Sequence, residues 1–253
     1  MYMHDMDQVG ETVQNQNLKG FNLFLVITEL VGALLILLVI IWTWYFRGGF
    51  AWTSDSGLQF NWHPLLMTIG LVFLYANAML IYRTQRNVCK RRLKLLHAGI
   101  MTVILILTTL ALIAVFDSHN YAKPIPIPNM YSLHSWIGLS SVILFSCQLV
   151  TGCISYLYPG LQTHFRSAYM PIHIYFGAAG FVGVIAACLI GLNEKAIFSI
   201  SEYKQLPVEG VLVNVIGLLF MLFGGLSVYL VSQNRYKRLP KPEDEVLLSG
   251  RNE

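Results

Sequence analysis

The chain has 253 residues, of which 55% are hydrophobic and only 12% are charged, and its formal net charge is +4. About a quarter of the residues of soluble domains are charged, so this composition excludes an ordinary soluble enzyme and predicts an integral membrane protein. The four cysteines form no Cys-x-x-Cys pair, which argues against a disulfide framework and against covalent cofactor attachment. No nucleic-acid partner is expected.

Six apolar segments follow a polar stretch at residues 1–20, which has no apolar core of the kind found in a cleavable signal peptide. The segments are 21–46, 61–82, 95–116, 130–158, 168–192 and 210–231. Each is longer than the roughly 20 residues that cross a bilayer. We therefore expect an all-α protein with an N-terminal segment 1–20, a six-helix membrane domain 21–232 and a charged tail 233–253, disordered beyond Pro240.

The basic residues predict the orientation of this bundle. Only four of the 17 lysines and arginines, namely Arg47, Lys123, Lys195 and Lys204, lie in the first, third and fifth loops. The others lie at the two ends of the chain and in the second and fourth loops. Cytoplasmic segments are enriched in Lys and Arg, so both termini are predicted to be cytoplasmic.

Four histidines recur near the starts of four consecutive predicted helices: His63, His97, His134 and His173. Because successive helices alternate in direction, the second and fourth start at one face and the third and fifth at the other. His63 and His134 are therefore expected at one depth, and His97 and His173 at the other. Polar groups inside a membrane are costly and mark functional sites by default.

Two facing imidazoles in an apolar helix bundle suit axial ligation of a haem iron from both sides. One turn after two of the histidines comes a glycine, and one turn after the other two comes a methionine; these residues are Gly138, Gly177, Met67 and Met101. A bare glycine backbone leaves room for a flat macrocycle. The alternatives are interfacial histidines with a structural role and zinc or copper sites, which are less favoured because no Cys, Asp or Glu accompanies the histidines. Two irons would be on the order of 25 Å apart.

Six short motifs resemble those of the cytochrome b561 family of transmembrane ascorbate-dependent reductases. They are FNWHP at 60–64, AMLIYR at 78–83, HAG at 97–99, YSLHSW at 131–136, PIH at 171–173 and GLNEK at 191–195. The likeness runs from about residue 47 to residue 238. It implies a core of the second to fifth helices with two non-covalent b-type haems, ligated by His63 with His134 and by His97 with His173. It also implies a homodimer.

The resemblance implies an oxidoreductase that passes electrons from cytoplasmic ascorbate to an acceptor across the membrane. In a secretory or endosomal vesicle this acceptor would be monodehydroascorbate. The alternative is a ferric or cupric reductase at an endosomal surface or at the plasma membrane, which would take an Fe(III) chelate. A transporter or channel whose histidines relay protons is less favoured, because no helix is predicted to be broken.

Cations at the cytoplasmic mouth are candidates for the ascorbate site. Ascorbate is a monoanion at neutral pH, and Lys90, Lys94 and Arg166 all precede the inner histidines. The resemblance favours these three for substrate and Arg83 for a haem propionate. Membrane orientation and lipid phosphate binding are the alternative explanation of such charges.

Residues beside the third loop are candidates for the acceptor site on the opposite face. Phe116 and His119 end the third helix, and Tyr131 precedes His134. His119 follows an acid, as the resemblance implies, and is suited to proton transfer or to contact with the acceptor. The loop after it contains Pro124, Pro126 and Pro128.

Overall fold

The structure is a computed structural model that describes residues 16–239, and all of their regular structure is helical. Six helices are long and apolar enough to span a membrane, which confirms the predicted fold class. They are α1 Phe21–Phe46, α2 Ser56–Thr84, α3 Lys90–Asn120, α4 Leu133–Tyr156, α5 Thr163–Ser199 and α6 Val208–Ser232. Two short 3-10 turns, Tyr203–Gln205 and Asn234–Tyr236, flank α6.

The described part of the chain forms one six-helix bundle with its two ends on the same face. We call this face the terminal face and the opposite one, which holds loops 47–55, 121–132 and 200–207, the distal face. His4, the rest of the predicted N-terminal segment before Gln16 and the predicted disordered tail after Leu239 lie outside the described residues. The predicted division into three segments therefore stays a prediction.

Four helices are longer than the apolar segments that predict them, namely α2, α3, α5 and α6. Both α3 and α5 begin five residues earlier than expected, at Lys90 and Thr163. Their first turns are rich in polar and charged residues, which hydropathy assigns to loops although a helix can continue beyond the bilayer surface. In contrast, α4 begins later than expected, because Ser132 and Ser135 form a capping box that fixes its start.

The helices pack as three neighbouring pairs, with α1 against α6, α2 against α3, and α4 against α5. Helix α2 is the most buried of the six. At its centre Tyr75 packs edge-on against Phe145 of α4 and Phe181 of α5, with ring centres 5.2 and 5.6 Å apart. The Tyr75 hydroxyl donates to the Gly177 carbonyl of α5 at 2.9 Å. Close packing and interhelical hydrogen bonds of this kind hold membrane bundles together.

Polar side chains join α6 to α1 at the distal face and to α2 at the terminal face. On the distal face the Arg47 guanidinium and the Trp42 indole N–H both donate to the Glu209 carboxylate. On the terminal face the Arg83 guanidinium donates to the carbonyls of Val231 and Gln233, which belong to the end of α6. Val231 lies in the last turn of α6, and the Gln233 carbonyl just beyond it also accepts from the Tyr236 N–H, so the arginine caps the C-terminal end of α6.

Candidate functional site

The structure brings the four histidines together as two pairs, in the combinations expected from the sequence. The rings of His63 and His134, the distal pair, have centres 6.1 Å apart and planes at 89°. The rings of His97 and His173, the terminal pair, have centres 6.4 Å apart and planes at 73°. Each pair joins one residue from α2 or α3 to one from α4 or α5.

Both ring separations fit a metal held between two imidazoles. A ligating nitrogen lies about 2 Å from its metal, and the ring centre lies about 1 Å further on, which gives about 6 Å between the two ring centres. Within residues 16–239 no group of three or more His, Cys, Asp or Glu side chains could hold a metal ion. A metal at either pair would have two imidazole ligands from these residues, and a porphyrin would supply four further nitrogens in a plane.

Hydrogen bonds to the main chain orient three of the four imidazoles. Nδ1 lies 3.2 Å from the Ala111 carbonyl in His63, 2.9 Å from Ala78 in His97, and 2.8 Å from Ala187 in His134. A carbonyl only accepts, so Nδ1 carries the hydrogen and Nε2 keeps the lone pair that binds a metal. The donor chemistry of these residues therefore fits a haem, and their role as ligands stays a prediction.

Two glycines that were not expected from the sequence support two of the rings. A Cβ added to Gly191 of α5 would lie 2.5 Å from Nδ1 of His134, and one added to Gly152 of α4 would lie 3.2 Å from Cε1 of His173. Each glycine follows the histidine of its own helix by 18 residues, which is five turns. Since α4 and α5 are antiparallel neighbours, each glycine meets the histidine of the other helix.

The two glycines that were predicted to leave a bare patch do have free space beside them. A Cβ added to Gly177 would have no neighbour within 4 Å, and one added to Gly138 would meet only the Ala187 Cβ at 3.8 Å. Gly138 and Met67 both line the distal cavity described next. Space for a flat group therefore exists on the glycine side of each pair.

A cavity of about 1080 Å³ opens beside the distal pair and is lined by both His63 and His134. All three residues predicted for the acceptor site, Phe116, His119 and Tyr131, also line it. Its volume lies at the upper end of the range for ligand sites, about 300–1,000 Å³. The distal face thus places the candidate acceptor residues around one space next to the histidines.

Lys195 belongs to this cavity too, although the sequence suggested for it no more than a loop charge. Its ammonium lies 3.9 Å from the centre of the Phe60 ring. Phe60 also stacks on His119, with ring centres 6.4 Å apart, and Nδ1 of His119 lies 3.1 Å from Asn129 Oδ1. The position of Lys195 in the GLNEK motif was the signal that could have identified it.

Tyr156 links the predicted donor cations to the terminal pair. Lys94 donates to its carbonyl at 3.4 Å, and its hydroxyl donates to the Arg166 carbonyl at 3.3 Å. The Tyr156 ring lies 5.7 Å from the His173 ring. Lys90 is the first residue of α3, so it stands one turn before Lys94 on a continuous helix, as the predicted site requires.

Arg83 is engaged elsewhere on the terminal face. Arg83 is the last residue of the AMLIYR motif in α2, and its hydrogen bonds to the carbonyls of Val231 and Gln233 cap α6. This contact gives Arg83 a structural role that was not expected from the sequence. Its predicted role at a haem propionate stays a prediction.

Comparisons with known proteins agree with the motifs. The profile of the family described as eukaryotic cytochrome b561 matches residues 62–199. The plasma membrane ascorbate-dependent reductase of Xenopus laevis is 43% identical over 91% of this chain and 81% of its own length. The transmembrane ascorbate-dependent reductase of Homo sapiens is 40% identical over 88% of each protein. The lysosomal membrane ascorbate-dependent ferrireductase of Bos taurus is 43% identical over 84% of this chain and 80% of its own length. The chain therefore belongs to the eukaryotic cytochrome b561 family of haem-binding membrane oxidoreductases.

Proposed function

We propose that this protein transfers electrons from ascorbate at the terminal face, through two b-type haems, to an acceptor at the distal face. The observation that carries the proposal is the presence of two imidazole pairs near opposite ends of one bundle. Relatives about 40% identical over most of the chain are named as ascorbate-dependent reductases. By the positive-inside rule the terminal face is cytoplasmic.

In this proposal His63 and His134 hold the distal haem, and His97 and His173 hold the terminal one. When bound, a haem with both axial positions filled supplies a one-electron carrier without an open site for oxygen. His97 is level with Ala78, so the two pairs are separated by 15 residues of α2, or about 22 Å. The buried rings of Phe145 and Phe181 pack on Tyr75 of α2 between the two pairs.

Lys90, Lys94 and Arg166 form the proposed donor site. Cations at the mouth attract a monoanion such as ascorbate and raise its local concentration. Lys94 donates to the Tyr156 carbonyl, and the main-chain carbonyl of Arg166 accepts from the Tyr156 hydroxyl. The Tyr156 ring packs on His173, so both residues lie in the surroundings of the terminal pair. These residues bind and orient the donor, and no covalent step is required of them.

The distal cavity is the proposed acceptor site, and monodehydroascorbate is the first candidate to occupy it. Reduction of this radical anion to ascorbate takes up one electron and one proton. His119 lines the cavity and is suited to deliver the proton, while Lys195 offsets the charge of the anion. Phe116 and Tyr131 form apolar walls that orient the ring.

Reduction of an Fe(III) chelate is the second candidate, because the bovine relative is named as a ferrireductase. Chelates of small carboxylic acids are anionic, so Lys195 favours them for the same reason. The same cavity serves both candidates.

A redox titration of the purified protein in sealed vesicles tests this proposal. The vesicles are loaded with Fe(III) citrate or with a source of monodehydroascorbate, and ascorbate is added at the terminal face. We expect two haems per chain, an α-band that ascorbate reduces, and reoxidation by the internal acceptor. A protein without a Soret band, or one whose haems ascorbate does not reduce, contradicts the proposal.

The orientation, the membrane of residence and the oligomeric state are part of the same proposal. We expect both termini in the cytoplasm, residence in a vesicle, endosomal or plasma membrane, and a homodimer. Protease accessibility of tags at each terminus tests the orientation. Chemical cross-linking in native membranes tests the dimer, and a single-chain band at every cross-linker concentration argues against it.

A further inference from the structure

Helices α4 and α5 repeat one pattern at an offset of 39 residues. The corresponding pairs are His134 with His173, Gly138 with Gly177, and Gly152 with Gly191. The two helices are antiparallel neighbours, so the repeat relates them by an approximate two-fold axis. The repeat in turn predicts that the surroundings of His134 and His173 correspond residue by residue.

The surroundings of the two histidines differ at the partner of Nδ1. Nδ1 of His134 bonds to the Ala187 carbonyl, and 39 residues before Ala187 stands Gln148. Yet Nδ1 of His173 is buried without a hydrogen-bond partner in the described part of the chain. Four buried side-chain nitrogen or oxygen atoms of residues 16–239 have no hydrogen-bond partner, namely Arg47 Nε, Thr108 Oγ1, Gln148 Oε1 and His173 Nδ1. Gln148, which the repeat places opposite His173 as Ala187 stands opposite His134, therefore carries an unpaired acceptor.

Gln148 stands within reach of His173. It precedes Gly152 by one turn, and a Cβ at Gly152 would lie 3.8 Å from Nδ1 of His173. Side chains one turn apart on a helix have Cβ atoms about 5–6 Å apart, a distance that a glutamine with three rotatable bonds can cover. One unpaired donor and one unpaired acceptor thus lie on facing surfaces of α4 and α5. Burial of either group without a partner is unfavourable.

We propose that Oε1 of Gln148 accepts a hydrogen bond from Nδ1–H of His173 and makes Gln148 a positioning residue for the terminal haem. The inference rests on the proposed function. The bond fixes the tautomer in which Nε2 faces the iron, and it holds the ring in place without a main-chain carbonyl. It also increases electron donation by the imidazole, which stabilises the oxidised haem and lowers its reduction potential.

The test compares the intact protein with Gln148→Met and Gln148→Glu in a spectroscopic redox titration. The terminal haem is identified as the component missing from His173→Ala. At a fixed ambient potential, Q148M should raise its ratio of reduced to oxidised form by several-fold up to about tenfold. A tenfold change corresponds to about 59 mV for a one-electron couple. Q148E keeps an acceptor and should not raise the ratio. Ser146→Ala, which removes a hydroxyl bonded within α4, is the matched control.

Each result decides the inference. A raised ratio for the terminal component alone supports it, and so does loss of that haem from Q148M but not from Q148E. An unchanged titration of Q148M with both haems present overturns it, as does loss of the haem from both variants. If the unsubstituted protein itself lacks two bis-imidazole haem spectra, the proposed function has failed instead.

Discussion

The distal and terminal histidine pairs have similar ring separations but very different surroundings. The distal pair opens on a cavity of about 1080 Å³ lined by Phe116, His119 and Lys195. The terminal pair is surrounded by tyrosine rings 5.7 to 6.0 Å from its imidazoles, and these are Tyr82, Tyr156 and Tyr169. The distal cavity therefore brings the candidate acceptor residues into the same space as the histidine pair. The terminal site offers phenols and the predicted donor cations, which suit recognition of a small anion.

Removal of one ligand from each pair should have the largest effect. We expect His134→Ala and His173→Ala each to lose one haem, which halves the ratio of haem to protein. Electron transfer across the membrane should fall by more than about 100-fold, since loss of an outer-shell partner alone costs about 10–100-fold. Pyridine haemochrome assays and α-band reduction measure both quantities. The exposed His164 provides the control, and H164A should keep both haems. Unchanged pigment in either ligand variant contradicts the pairing.

Substitution of the supporting glycines should have a smaller effect than loss of a histidine, and the effect should differ between the two pairs. A Cβ at Gly191 would come within 2.5 Å of the His134 ring, whereas one at Gly152 would stay 3.2 Å from His173. Overpacking costs about 1–3 kcal/mol, so Gly191→Ala should weaken the distal haem more than Gly152→Ala weakens the terminal one. Haem retention during thermal unfolding measures the difference. Gly225, which has no neighbour within 4 Å of an added Cβ, is the control position. Equal losses in G191A and G152A count against the difference in packing.

Removal of the predicted donor cations should change the KM for ascorbate without loss of haem. The double variant Lys94→Ala, Arg166→Ala should raise the ascorbate KM by about tenfold, since two partly screened contacts are worth about 0.2–1 kcal/mol each and act on one anion. Initial rates of haem reduction at varied ascorbate concentrations give the KM. Arg91→Ala, Arg92→Ala removes two exposed charges from the same helix and should leave the KM nearly constant. An unchanged KM in the first double variant removes these residues from the donor site.

Lys195 should give the smallest effect, and it should depend on the charge of the acceptor. We expect Lys195→Met to raise the KM for Fe(III) citrate by about three- to tenfold through loss of one partly buried attraction. The rate with hexaammineruthenium(III), a cationic acceptor, should not fall. The control is Lys204→Met, because the Lys204 side chain is 83% exposed. Equal losses with anionic and cationic acceptors indicate a structural role instead.

The positions of the helices and of the four histidines followed from local sequence, because apolar length and alternating direction determine both. The first turns of α3 and α5 did not, since Lys90 and Thr163 begin helical turns that are too polar for a hydropathy window. The roles of Gly152, Gly191 and Lys195 could not be predicted, because they depend on which helices face each other. Spacing within one helix does not contain that information. Arg83 illustrates the same limit, because its partners lie about 150 residues away in the chain.

The crossed arrangement of the pairs has a consequence for biogenesis. The hairpin α2–α3 contributes one imidazole to each pair, and so does the hairpin α4–α5. If each pair holds a haem, as we propose, neither half of the core can supply both ligands by itself. Under the proposed function, a haem can be held from both sides only after five of the six helices have been synthesised. It would then add to the side-chain packing and the hydrogen bonds that join the two halves. Starvation for haem should accordingly leave a loosened chain exposed to membrane proteases, which couples the abundance of the protein to the supply of its pigment.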